Sequence, residues 1–180
     1  MQQSARIYRK ATLIDQAVDT PVNMDITIRL ATTEDSKEIM YTMQDAFQEY
    51  VETAGEQSVY TIEETNGLIF QDILDKIVFV AERDGEIVGS VRIEVNDDNT
   101  AYLSRFGVKQ IYQGQGIGHA IMGQVDNMLR SRGISKLYLH TATKMTSTVR
   151  FYYGLGFYVV EVSHDSGYPK GLFVKDYIEE

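Results

Sequence analysis

The chain has 180 residues, 43% of them hydrophobic, with two prolines and no cysteine. That describes one packed domain or one domain with an extension; it excludes a collagen-like or disordered chain, a disulfide framework, a cysteine-ligated zinc site and a cysteine nucleophile. A net charge of −9 disfavours nucleic-acid partners. No apolar run suits a membrane span and no signal-peptide core is present, which together predict a cytoplasmic protein with no membrane partner.

Residues 1–24 stand apart from the rest. Arg6, Arg9 and Lys10 make this arm basic, Ile7, Ile14 and Val18 give it a weak apolar stripe, and Thr20-Pro21 interrupts that stripe. An extension that docks on a partner subunit is the functional expectation, with residues 25–180 as the main domain. Ile26–Leu30 alternates apolar and polar residues, the pattern of a half-buried strand. Thr32 to Asp35 opens a helix whose buried side carries Ile39, Met43 and Phe47 and which ends near Tyr50–Ala54. Thr61-Ile62-Glu63-Glu64 reads as a capping box for a second helix running to about Asp75.

Ile77–Ala81 is a short unbroken apolar run, as in a strand buried on both faces. Asp84-Gly85 predicts a tight hairpin. The returning strand, Ile87–Val95, places Val91, Ile93 and Val95 on one face and Arg92 and Glu94 on the other. After a turn at Asn96–Asn99, Ala101–Val108 is the next strand. A helix of about four turns follows, with Ile117, Ile121, Val125, Met128 and Leu129 at helical spacing. Leu137–Thr141 is a strand, residues around Thr148, Phe151, Tyr152 and Leu155 a short helix, and Phe157–Val160 and Leu172–Val174 the last two strands. The order predicts an α+β domain in which a glycine-rich loop leads into a crossover helix between two parallel strands.

That loop, Gln113-Gly114-Gln115-Gly116-Ile117-Gly118-His119, sits between a strand and a helix. Glycines let a backbone approach an anion, and the first N–H groups of a helix lack internal partners, so the loop reads as a phosphate cradle. Three classes of cradle compete. A P-loop needs Gly-Lys-Ser/Thr, and Gly118-His119-Ala120 supplies neither the lysine nor the hydroxyl. A dinucleotide fingerprint needs glycines at relative positions 1, 3 and 6, and here they fall at 114, 116 and 118.

The third class fits. Gln113–Gly118 resembles the Gln/Arg-x-x-Gly-x-Gly/Ala signature of the GNAT superfamily of N-acetyltransferases. Ile28–Asp35 resembles that family's opening strand and helix cap, Leu103–Val108 its fourth strand, and Phe151-Tyr152-Tyr153-Gly154-Leu155-Gly156-Phe157 its Leu/Phe-Tyr-x-x-x-Gly-Phe element. The resemblance implies a mixed, mostly antiparallel sheet of about six to seven strands, splayed between the fourth and fifth and flanked by about four helices.

It also implies a reaction: transfer of the acetyl group of acetyl-CoA to an amine of a small molecule or peptide by direct attack, with no metal. Backbone of Gln113, Gly114, Gln115, Gly116, Ile117 and Gly118, with His119, is expected to hold the pyrophosphate. Main chain at Phe106, Gly107 and Val108 is expected to hold the pantetheine, with any apolar side chains tolerated there. Tyr152 matches the tyrosine placed near the sulfur, the general acid, and Tyr153 is the fallback if the register slips by one. Members are often homodimers.

Two departures stand out. Met145 occupies a position where many members carry Asn, leaving Thr146 or Ser147 as alternatives, and Tyr102 occupies one where many carry a catalytic Glu. These departures motivate an alternative, a non-catalytic acyl-CoA-binding or regulatory module. Candidate bases are Glu49, Glu52, His140 or a water chain. Acceptor-pocket candidates are Tyr41, Phe47, Glu49, Tyr50 and Tyr60 from the first half of the chain, and Tyr102, Ser104, His140 and Tyr168 from the second.

Overall fold

A computed structural model describes residues 20–23, 26–54 and 64–177. The basic arm up to residue 19, Glu56, Tyr60 and Thr61–Glu63 of the expected capping box lie outside the described residues. Eight strands form one sheet: β1 (Thr20–Asn23), β2 (Ile26–Leu30), β3 (Ile77–Arg83), β4 (Glu86–Val95), β5 (Thr100–Val108), β6 (Lys136–Ala142), β7 (Tyr158–Ser163) and β8 (Lys170–Asp176). Their spatial order is β1-β2-β3-β4-β5-β6-β8-β7. The helices are α1 (Ser36–Ala54), α2 (Asn66–Asp75), α3 (Ile117–Ser131) and α4 (Thr146–Gly154).

The extra strand relative to expectation is β1. Thr20-Pro21 does not break the chain out of regular structure; it pairs antiparallel with β2 at the edge of the sheet. An edge strand tolerates proline because one side of its ladder needs no donor. β1 also shifts the numbering: the expected fourth and fifth strands are β5 and β6.

β3 explains why Ile77–Ala81 is apolar at every position. Ile77, Phe79 and Ala81 face the core under α3, while Val78 and Val80 pack with Ile39, Met43, Ile69 and Ile73 of α1 and α2. The sheet is therefore covered on both sides. The β3–β4 hairpin turns through Asp84 (φ 52°) and Gly85 (φ 79°), both left-handed as a type I′ turn requires.

Two readings from the sequence change. The second helix starts at Asn66, capped by Thr65, whose hydroxyl accepts from the Leu68 N–H. Glu64 is thereby released for another task. Arg92 is not on a solvated face but is 1% exposed. Its guanidinium binds both carboxylate oxygens of Glu64 and donates to Asp72 at 2.7 Å. The covering helices made that face interior, and a buried guanidinium must be paired.

β5 and β6 position the site. They pair in parallel only over Thr100–Tyr102 and Lys136–Tyr138, then separate. On its other side β5 stays paired with β4, but with one residue too many: Arg92 faces Ser104 and Ser90 faces Gly107. The excess is a bulge at Arg105, whose φ is +50°. A non-glycine residue in the left-handed region is uncommon, and bulges of this kind re-aim a strand. The bend falls where the strand leaves β6.

Candidate active site

The gap between β5 and β6 opens into a cleft of about 840 Å³. One end is made by the glycine loop. Gly114 (φ 73°) and Gly116 (φ 85°) take left-handed conformations, and no atom lies within 4 Å of where a Cβ would stand on either. Gly116 is the N-cap of α3; no side chain caps this end and no acidic residue occupies its first turn. The first N–H groups and the positive end of the helix dipole thus face open space. Gln113 ties the loop to the strand by donating from Nε2 to the Val108 carbonyl at 3.0 Å. Asp45 of α1 accepts from the Gln110 N–H at 2.7 Å.

Of the expected cofactor residues, Phe106, Val108, Gln113, Gly114, Gly116, Ile117, Gly118 and His119 line the cleft. Gly107 and Gln115 do not. Gln115 turns outward, accepting from Arg83 at 2.8 Å. Gly107 corrects the expectation that any apolar side chain suits this strand: a Cβ there would sit 2.8 Å from the Cβ of Ala46. Its bare backbone is what lets α1 cross β5 so closely.

Tyr152 of α4 lines the cleft and is 5% exposed. The ending of α4 fixes it there. Phe157 N–H bonds the Tyr152 carbonyl at 3.0 Å, Gly156 N–H bonds the Tyr153 carbonyl at 3.0 Å, and Gly156 has φ 89°. This is a Schellman closure, with Phe157 folding back on Tyr152 at 5.4 Å between ring centroids. The Gly-Phe that follows the tyrosine in sequence is therefore the clamp that orients it. Tyr153, one position on, is 50% exposed and off the cleft. Among the described residues the Tyr152 hydroxyl has no hydrogen-bond partner. Burial, with the nearby phenols of Tyr50 and Tyr102, raises its pKa and keeps the proton on.

The other end of the cleft is built from side chains. Glu49, Tyr50, Tyr102, Ser104, His140 and Tyr168 all line it. Tyr41 does not; it is 52% exposed on the outer side of α1. Tyr50 Oη accepts the Ala142 N–H at 3.1 Å and lies 3.5 Å from the Tyr168 hydroxyl. Burial, then the Tyr168 hydroxyl, raise the Tyr50 pKa. Tyr102 Oη is 2.8 Å from His140 Nδ1 across the splay. Met145 is buried beside Ala142 and Tyr168 at the start of α4, and Ser147 also lines the cleft. Glu52 and Thr146 do not line it. The sequence reading did not single out Arg105 or Lys170, which bring positive charge to this end. Arg105 reaches Glu64 at 2.7 Å and so joins the cleft to the Arg92 cluster.

A family profile described as the acetyltransferase (GNAT) family matches residues 39–157. The chain belongs to the GNAT acetyltransferase family. Its match to the mycothiol acetyltransferase of Thermomonospora curvata is 30% identical over 117 residues, covering 63% of this chain and 39% of that protein. This GNAT chain thus matches well under half the length of that relative.

Among solved structures, PaiA N-acetyltransferase from Thermoplasma acidophilum in complex with coenzyme A superposes with a TM-score of 0.76. The identity is 22%, over 86% of this chain and all of that one. The ribosomal-protein-S18-alanine N-acetyltransferase of Escherichia coli gives a TM-score of 0.64 at 18% identity, over 84% of this chain and 93% of that one. At these identities the likeness is one of fold, and the fold is the GNAT sheet with its splayed central pair. Among the described residues no helix is long and apolar enough to cross a membrane.

Proposed function

We propose that the protein transfers the acetyl group of acetyl-CoA to the nitrogen of a small-molecule or peptide amine. The observation that carries this is convergence. The uncapped start of α3, the unpaired edge of β5 and Tyr152 all border one cleft. The open space over Gly114 and Gly116 fits a pyrophosphate, and the β5 edge beyond Tyr102 offers main-chain groups to a pantetheine arm. The Thermoplasma relative that shares this fold is a coenzyme A complex, which supports the same ligand here.

In the proposed reaction the amine nitrogen attacks the thioester carbonyl, the C–N bond forms and the C–S bond breaks. Tyr152 gives its proton to the departing sulfur and regains one from solvent. Of the protons the ammonium must shed, one therefore ends on the thiol and one in solvent. Holding the two substrates in the cleft removes part of the barrier before any proton moves. Homodimer formation and a cytoplasmic setting belong to the same reading; light scattering on the purified protein tests the first.

Calorimetry with acetyl-CoA and thiol release over an amine panel test the proposal. Binding with thiol release on at least one amine is expected. Absence of binding overturns it, and binding without release on any amine favours the acyl-CoA-binding module for which Met145 and Tyr102 speak.

A further inference from the structure

The acetyltransferase reading names no group that takes the amine's proton. An amine at neutral pH is an ammonium, which has no lone pair, so something in the cleft must take its proton before attack. The strand position at which a carboxylate would be expected holds Tyr102. Of the two expected carboxylate candidates, Glu52 does not line the cleft, and Glu49 is exposed on α1 and lines it next to Tyr50.

Tyr102 and His140 meet across the splay, and only there. Tyr102 stands opposite Tyr138 in the last parallel pair, and His140 lies two residues further along β6, where the strands have already parted. Their side chains close the gap that the backbones leave: phenol oxygen to Nδ1 at 2.8 Å, ring centroids 5.8 Å apart. Both line the cleft that Tyr152 also lines.

We infer that Tyr102 and His140 form the proton acceptor of the reaction, the phenol touching the acceptor nitrogen and the imidazole acting through it. Tyr102 Oη takes the ammonium proton while its own proton passes to His140 Nδ1. The balance is a neutral amine, a neutral phenol and an imidazolium, which returns its proton to solvent. This rests on the acetyltransferase reading and adds the base that reading lacks.

The surroundings suit the role. Burial, then the positive charge of Lys170 on β8, lower the His140 pKa, while Glu161 on β7 raises it. The net is a fall below the ordinary histidine value of about 6.5, so the ring is neutral and able to accept at pH 7. Burial raises the Tyr102 pKa, against the backbone N–H of His140 and the positive charge of Arg105, so its phenol holds the proton the relay needs.

Two measurements test the pair. In nitrogen-15 spectra of the three histidines, assigned with His140→Gln, the His140 Nδ1 is expected to be unprotonated at pH 7. Its signal is expected to move in Tyr102→Phe. A protonated Nδ1, or a signal blind to Tyr102→Phe, overturns the proposal. The second measurement is thiol release from acetyl-CoA with spermidine, lysine and a short peptide amine across pH. Tyr102→Phe and His140→Gln should each lower kcat/KM for the amine by about 10²-fold at neutral pH, and the double variant by no more than either alone.

The deficit should shrink as pH nears the amine's own pKa, with KM for acetyl-CoA unmoved. Lys170→Met should shift the acid limb to higher pH by removing a charge that disfavours the imidazolium. An unaltered pH profile in His140→Gln overturns the pair while leaving the acetyltransferase reading in place. A wild-type protein that does not bind acetyl-CoA overturns that reading instead.

Discussion

The two ends of the cleft are built by different means. At the glycine loop and the β5 edge, the lining of the cleft is a property of the main chain: left-handed glycines, an uncapped helix start and an unpaired strand edge. At the other end it is a property of side chains that arrive from five elements, with Tyr50 from α1, Tyr102 and Arg105 from β5, His140 from β6, Tyr152 from α4, and Lys170 from β8. A main-chain site is specific for a shape and a charge that many relatives share. A side-chain site changes with every substitution. One chain can thus hold a common donor and a private acceptor in one cavity.

The sharpest way to break this contrast is at the ion cluster behind the acceptor end. Glu64→Ala leaves the buried Arg92 guanidinium with the Asp72 carboxylate and without the Glu64 carboxylate that binds two of its nitrogens. Removing one partner of such a pair is expected to cost about 3–5 kcal/mol, read by urea unfolding. Tyr152→Phe comes next. It should lower kcat by about 10²-fold while calorimetry shows acetyl-CoA affinity unchanged, because the proposed mechanism uses the hydroxyl only as the bond to sulfur breaks.

Gly107→Val probes the donor end by overpacking. With a Cβ 2.8 Å from Ala46, α1 and β5 must part, at about 1–3 kcal/mol of stability by thermal unfolding. Gln115→Ala is the smallest effect. Its side chain reaches outward to Arg83 and the Ile111 carbonyl, so stability should stay within about 0.5 kcal/mol. Coenzyme A affinity should hold in a calorimetric titration as well. A large loss of affinity there would show that the donor end is read by side chains after all.

The same contrast decides what could be seen in the sequence. The donor end was legible because backbone requirements force residue types: glycine at 114 and 116, and the Tyr-x-x-x-Gly-Phe run that closes α4 over Tyr152. The strands and helices that frame it were legible from period and turn chemistry. At the acceptor end Tyr50, Tyr102, Ser104, His140 and Tyr168 could be named and do line the cleft, but how they meet could not be read. Tyr102 and His140 are 38 residues apart, and their meeting depends on where a parallel pair stops. Nothing in the residue name announced a bulge at Arg105, because its left-handed backbone is imposed by register and not by a glycine. Alternation put Arg92 on the face opposite Val91 and Ile93 without saying what covers that face, and the layer of α1 and α2 buries it. The second helix cap was misplaced for a related reason. Glu64 suited a capping box by spacing, but it was held by two arginines instead.

The short join between β5 and β6 has a mechanical meaning. The halves β1–β5 and β6–β8 share one ladder of three residue pairs, so the sheet is two plates on a narrow seam. A molecule that lies along the exposed edge of β5 lengthens that seam. The energy with which it binds is then also energy that resists prising the plates apart, because a ligand of the folded state stabilises it by mass action. Amide hydrogens in β5 beyond Tyr102 and in β6 beyond Tyr138 should exchange fastest of any in the central strands of the empty protein. They should slow together once coenzyme A is added, so that protection in the two plates becomes a direct gauge of how full the cleft is.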